Sequence, residues 1–141
     1  MDGTSRPQAP LDLVLEPRSD RFDPDDDRWR AQVSDLYAGL DREIGGVRRE
    51  PTQVEGTKGT VDTVILALGS AGAFTAAVEF IKAWLTRDRS RRLDVSWDVE
   101  GRTERVTVSG EAIDNAAIGR IAEAVAGRIG ERPWPAPTEP S

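Results

Sequence analysis

A chain of 141 residues with 38% hydrophobic and 31% charged residues is the size of one domain with short tails, and is neither a disordered chain nor a membrane bundle. It contains no cysteine and no histidine, which removes disulfide frameworks, thiolate or imidazole metal sites, and the imidazole-assisted nucleophiles of most serine and cysteine catalysis. A net charge of −6 disfavours general binding to nucleic acid, whose affinity comes mostly from neutralised phosphates.

Met1–Pro10 is polar and has no apolar h-region, so residues 1–10 read as a flexible tail with no secretory signal. Leu11, Leu13 and Leu15 alternate with Asp12, Val14 and Glu16, the pattern of a short strand that Pro17 and the acidic run to Asp27 should end. Trp29, Val33, Leu36, Tyr37, Leu40 and Ile44 then share one helical stripe. Asp25, Asp26 and Asp27 stand where the positive end of that helix dipole favours anions, and Gly45-Gly46 stops it. Residues 47–51 suggest a short strand closed by Pro51, followed by a loop with Gly56 and Gly59.

An apolar run from Val61 to Leu85 reads as a helix, uncharged from Thr63 to Val78. With Arg87, Arg89, Arg91 and Arg92 behind it, the run invites a membrane reading. Sixteen uncharged helical residues span about 24 Å, however, short of a hydrocarbon core of about 30 Å. Its second half is amphipathic: Phe74, Val78, Ile81 and Leu85 lie on one face, Thr75, Glu79, Lys82 and Thr86 on the other. Val61, Val64, Ile65 and Leu68 point the opposite way, and the switch falls at Gly69-Ser70-Ala71-Gly72. Either the helix kinks or breaks there, or a neighbouring backbone, from this fold or a second chain, approaches closely at Gly69 and Gly72.

Leu93, Val95, Trp97 and Val99 next alternate with Asp94, Ser96, Asp98 and Glu100. A two-residue turn at Glu100-Gly101 gives an antiparallel hairpin over about 92–109, with Val95 opposite Val106 and Leu93 opposite Val108. Its other face then pairs Asp94 with Thr107, Ser96 with Arg105, and Asp98 with Thr103; a one-residue slip destroys the match. A last helix opens near Asp114 as N-cap and buries Ile118, Ile121, Ala122, Val125 and Ile129 before Gly130 and Pro133 stop it. Residues 131–141 carry four prolines and read as a disordered tail or as a polyproline ligand anchored by Trp134. The sum is one α+β domain over 11–130, in the order β-α-(β)-α-β-β-α, with three helices packed on a small sheet.

The candidate chemistry is thin. Gly69-Ser70-Ala71-Gly72 lacks the glycine spacing of a nucleophile elbow. Gly56-Thr57-Lys58-Gly59-Thr60 could hold an anion before a helix, but is not a P-loop and fits a turn with Thr60 as N-cap. Asp23, Asp25 and Asp27 alternate like calcium ligands without the loop glycine or the closing glutamate. No metal or cofactor is expected. Arg87-Asp-Arg-Ser-Arg-Arg92, four arginines less Asp88, is a patch of net +3 on an acidic chain. It reads either as a docking surface or as a solvated loop after a helix C-terminus.

Several of these segments resemble the effector-associated constant component family of bacterial proteins. The resemblance covers about residues 11–130. It is carried by Leu-Asp-Leu-Val-Leu at 11–15, Leu36 to Leu40 with Arg42-Glu43-Ile44-Gly45-Gly46-Val47-Arg48, Leu66-Ala-Leu-Gly-Ser-Ala-Gly72, Ile81-Lys-Ala-Trp-Leu85, the arginine-rich turn, and the Asp94–Val108 hairpin. It implies a non-enzymatic, cytoplasmic adaptor in conflict or immunity systems, often of actinobacteria. There it would partner a separate effector, such as a protease, and nucleotide-dependent regulators. No catalytic residue carries over. Gly69, Ser70, Gly72, Arg87, Arg89, Arg91 and Arg92 are the candidate partner-binding residues, and self-association is open. The alternative is a membrane-associating component using residues 61–85 and the arginines after them.

Overall fold

A computed structural model describes residues 11–53, 60–111 and 115–129. The elements are β1 (Leu11–Ser19), α1 (Asp27–Ile44), β2 (Arg48–Gln53), β3 (Thr60–Leu68), α2 (Ala71–Thr86), β4 (Arg91–Val99), β5 (Arg102–Ser109) and α3 (Asn115–Ile129). The fold is α+β: three helices and one five-stranded sheet in the order β2-β3-β1-β4-β5, with every neighbouring pair antiparallel.

Strand alternation decides which face the helices cover. Leu11, Leu13 and Leu15 of β1 share a face with Val64, Leu66 and Leu68 of β3, with Leu93, Val95 and Trp97 of β4, and with Val106 and Val108 of β5. All of these are buried in one core with Trp29, Val33, Leu36 and Leu40 of α1, Phe74, Ala77, Trp84 and Leu85 of α2, and Ile118, Ile121 and Val125 of α3. Burying such side chains is worth roughly 1.5–3 kcal/mol each, the main force holding the layers together. The helices lie side by side with α2 in the middle. Among the described residues, no helix lies on the other face of the sheet.

The hairpin has the register expected from its alternation, including Val95 with Val106 and Asp94 with Thr107. Glu100 and Gly101 take positive φ of 50° and 83°, as a two-residue type I′ turn demands. Helix α1 also forms where its stripe predicts. Asp26 is its N-cap and accepts from the Arg28 backbone N–H, and Gly45 and Gly46 end it at positive φ.

The region before residue 86 differs from the sequence expectation. Residues 60–68 are a strand, and only 71–86 are helical. Val61, Val64, Ile65 and Leu68 happen to fit helical spacing. In the strand, however, Ile65 and Ala67 are apolar on the face opposite Val64, Leu66 and Leu68, so the run shows no clean alternation. The reversal of the apolar face at Gly69–Gly72 is therefore a break between a strand and a helix and not a kink in one long helix. Among the described residues of this chain, no group beyond Gly72's own neighbours and helix backbone lies within 4 Å of where its Cβ would stand. The apolar helix 61–85 named in the membrane alternative is not formed, and none of the described helices is long and apolar enough to cross a bilayer.

Two prolines expected to end strands lie inside them. Pro17 pairs with Leu93, but β1 pairs with β3 only as far as Leu15, so its missing N–H falls where one neighbour has ended. Pro51 sits in β2, an edge strand, where a missing donor is tolerated. The tails 1–10 and 131–141 with Trp134, the Gly56–Gly59 loop, the Asp114 cap and the Gly130 stop fall outside the described residues.

Candidate interaction surfaces

The junction residues and the arginines form two separate places. Ser70 is the N-cap of α2: its hydroxyl accepts from the Ala73 N–H at 3.1 Å, and its carbonyl accepts from Phe74 N–H at 3.2 Å. Gly69, Ser70 and Gly72 are exposed at this end. Arg87 is the C-cap at the other end, one helix length or about 24 Å away. The seven candidate residues therefore do not make one site.

Within the basic segment the four guanidinium groups have different surroundings. Arg91 reaches inward. Its guanidinium lies 4.5 Å from the Trp84 ring, donates to the Trp84 carbonyl, and donates to Gln32 Oε1 at 2.9 Å. Burial pulls its pKa down, against the opposing pull of Asp88. Trp84 is itself fully buried, gives its indole N–H to the Gln32 carbonyl at 3.1 Å and packs 5.9 Å from Trp29. Arg91 thus tethers the start of β4 to the end of α2 and to α1. Arg92 pairs with Asp20 at 3.1 Å, and Arg87 leans back on the Ala83 carbonyl at 3.5 Å. Arg89 is exposed. Asp88 folds the turn by accepting from the backbone N–H and the hydroxyl of Ser90, and those bonds lower its pKa.

The helix-free sheet face is the surface that sequence reasoning missed. Arg48, Ile65, Val14, Ser96 and Arg105 form one row across all five strands, an arginine at each edge and small or apolar side chains between. Acidic residues flank the row: Asp12 and Asp98 on one side, and Glu50, Glu16 and Asp94 on the other. Cross-strand pairs neutralise much of this. Arg48 bridges Asp12 at 3.5 Å and Glu50 at 3.9 Å, and Arg18 bridges the buried Asp94 at 3.0 Å. Thr107 also donates to Asp94 at 2.7 Å. Arg105 differs: it is exposed and has no hydrogen-bond or ion-pair partner among the described residues. The hairpin register already placed it on the polar face opposite Ser96. What hid the row was β3, taken as helix.

Two open clefts lie beside these surfaces. One of about 380 Å³ is lined by Trp29, Val33, Ser34, Arg49 and Asp62 among others. There Arg49 is spent on Asp62, on the Ser34 hydroxyl and on the Tyr37 ring at 5.8 Å. Another, of about 300 Å³, lies at the Leu11 end of the sheet, where Asp12, Val14, Arg48, Ile65, Asp98 and Arg128 of α3 are among its lining residues. No group of three or more acidic side chains among the described residues could hold a metal ion.

A comparison with protein families matches residues 25–126 to Effector Associated Constant Component 1. The matched segment runs from just before α1 into α3 and leaves out the central strand β1. No curated protein and no solved structure matches the chain.

Proposed function

The chain belongs to the Effector Associated Constant Component 1 family, and from that membership we propose that it is a non-enzymatic adaptor of a bacterial conflict or immunity system. It acts in the cytoplasm by binding a separate effector, for example a protease, or a nucleotide-dependent regulator. The family match carries this reading. The residue inventory supports it: without histidine or cysteine the chain has no imidazole base or thiolate nucleophile, and bond-making falls to the companion.

The docking surface is to be sought among exposed groups. Gly69, Ser70 and Gly72 at the start of α2 and Arg87 and Arg89 after its end qualify by exposure. Arg91 and Arg92 contribute by shaping the turn that presents their neighbours, since both guanidinium groups are engaged within the fold.

Co-expression with the products of adjacent genes tests the proposal. The expected result is a stoichiometric complex with one of them, stable through size-exclusion chromatography, and no turnover of peptide, nucleotide or ester substrates by this chain alone. Turnover by the pure chain, abolished by changing one of its carboxylates, would contradict it.

A further inference from the structure

The two edges of the sheet are treated differently. Strand β2 is short, contains Pro51 and carries Arg48, Arg49 and Glu50, the usual means of discouraging strand addition. Strand β5 also carries charges, Arg102, Glu104 and Arg105, but none of the other devices. It is eight residues long, contains no proline, and pairs one-to-one with β4 from Arg92–Ser109 to Val99–Arg102 with no bulge. In a hairpin closed by a two-residue turn, the flanking pair exchanges both backbone hydrogen bonds, and every second pair beyond it does the same. The backbone groups of Thr103, Arg105 and Thr107 therefore point away from β4.

The charge beside these groups selects an occupant. Glu104 is held by Arg102 at 3.3 Å and by Arg120 of α3 at 3.0 Å. Thr103 donates to Asp98 at 3.0 Å and Thr107 to Asp94. Arg105, exposed between the two threonines, is the one β5 cation without a partner among the described residues. An acidic side chain on an added strand, directly opposite Arg105, would complete a cross-strand pair. A second copy of this chain fits less well: the two registers of fullest antiparallel overlap set Arg105 opposite or diagonal to its own counterpart, and like charges so placed are destabilising.

We propose that β5 is a docking edge on which a partner protein adds an extended strand, with a carboxylate facing Arg105 and β-branched residues flanking it. Backbone hydrogen bonds supply the affinity and Arg105 the selectivity, as in other strand-addition complexes. This rests on the adaptor reading and names its surface.

The test uses the full chain and two ligands: a synthetic peptide, Thr-Val-Thr-Asp-Thr-Val-Thr, and the co-purifying effector. The peptide should slow amide exchange at Thr103, Arg105 and Thr107 at least tenfold. The Arg105→Glu variant should lose that protection, and a peptide with Lys in place of Asp should restore it. The same variant should bind the effector at least tenfold more weakly. If the effector binds wild type and Arg105→Glu equally, the edge proposal is overturned and the adaptor reading stands. If no neighbour-encoded protein binds the folded chain, both fall. Protection of the β5 amides that grows with protein concentration alone would assign the edge to a second copy and overturn the proposal.

Discussion

Gly110 follows β5, where its N–H donates to the Arg91 carbonyl at 2.8 Å, and it lies hard against the end of α2. A Cβ there would stand 2.6 Å from the Asp88 carbonyl oxygen and closer still to that of Leu85. Both obstacles are backbone, so no rotamer change relieves the overlap. The hairpin end and the 85–88 turn must move apart, straining the Arg91 contacts beside them. Overpacking of this kind costs about 1–3 kcal/mol, and the carbonyls place Gly110→Ala toward the upper end. For a domain of this size, about 2.5 kcal/mol lowers Tm by roughly 10 °C. Gly119→Ala is the control. Gly119 lies inside α3, and among the described residues no group beyond its own helix backbone lies within 4 Å of its missing Cβ, so alanine should stabilise by about 0.5–1 kcal/mol. Paired urea and thermal melts followed by circular dichroism read both. If Gly110→Ala melts with wild type, the packing of the hairpin end against α2 is wrong.

Three further outcomes follow from the same contacts. Ser70→Ala should destabilise by about 1 kcal/mol in urea melts, because it removes the N-cap of α2; a gain in stability would instead favour one continuous helix from 61 to 85. Arg91→Lys should lose about 1–3 kcal/mol, since an ammonium cannot both lie on Trp84 and serve the Trp84 carbonyl and Gln32; wild-type stability and unchanged Trp84 fluorescence would refute the tether. Asp88, whose folded pKa is depressed by its bonds to Ser90, contributes stability that is complete above the ordinary carboxylate pKa of about 4. That contribution is lost as pH falls from there through the folded value. Carboxylate NMR titration should therefore find Asp88 titrating below ordinary aspartates, and a value at or above about 4 would contradict the turn.

Local periodicity revealed much of this fold, and its failure has one cause. The hairpin was legible because β4 and β5 each have one apolar and one polar face, so a single register satisfies both. Helix α1 was legible from its stripe and its glycine stop. Strand β3 was not, because apolar Ile65 and Ala67 blur its alternation and its run joins that of α2 without a charge between Thr63 and Val78. The junction signal was present: Ser70 is a good cap, and β-branched Val61, Thr63, Val64 and Ile65 favour a strand. Losing β3 also hid the row from Arg48 to Arg105. Long-range partners were beyond reach for a different reason. Nothing local to Arg91 says that Gln32 and Trp84 will absorb its guanidinium, so it looked like its neighbour Arg89.

Isothermal titration of the purified chain with the purified effector encoded beside it bears most directly on the adaptor role. Saturable one-to-one heat with micromolar or tighter affinity, from a chain that turns over no substrate alone, is the expected result. A folded chain that gives no heat with any neighbouring gene product, or one that consumes a substrate unaided, would contradict it.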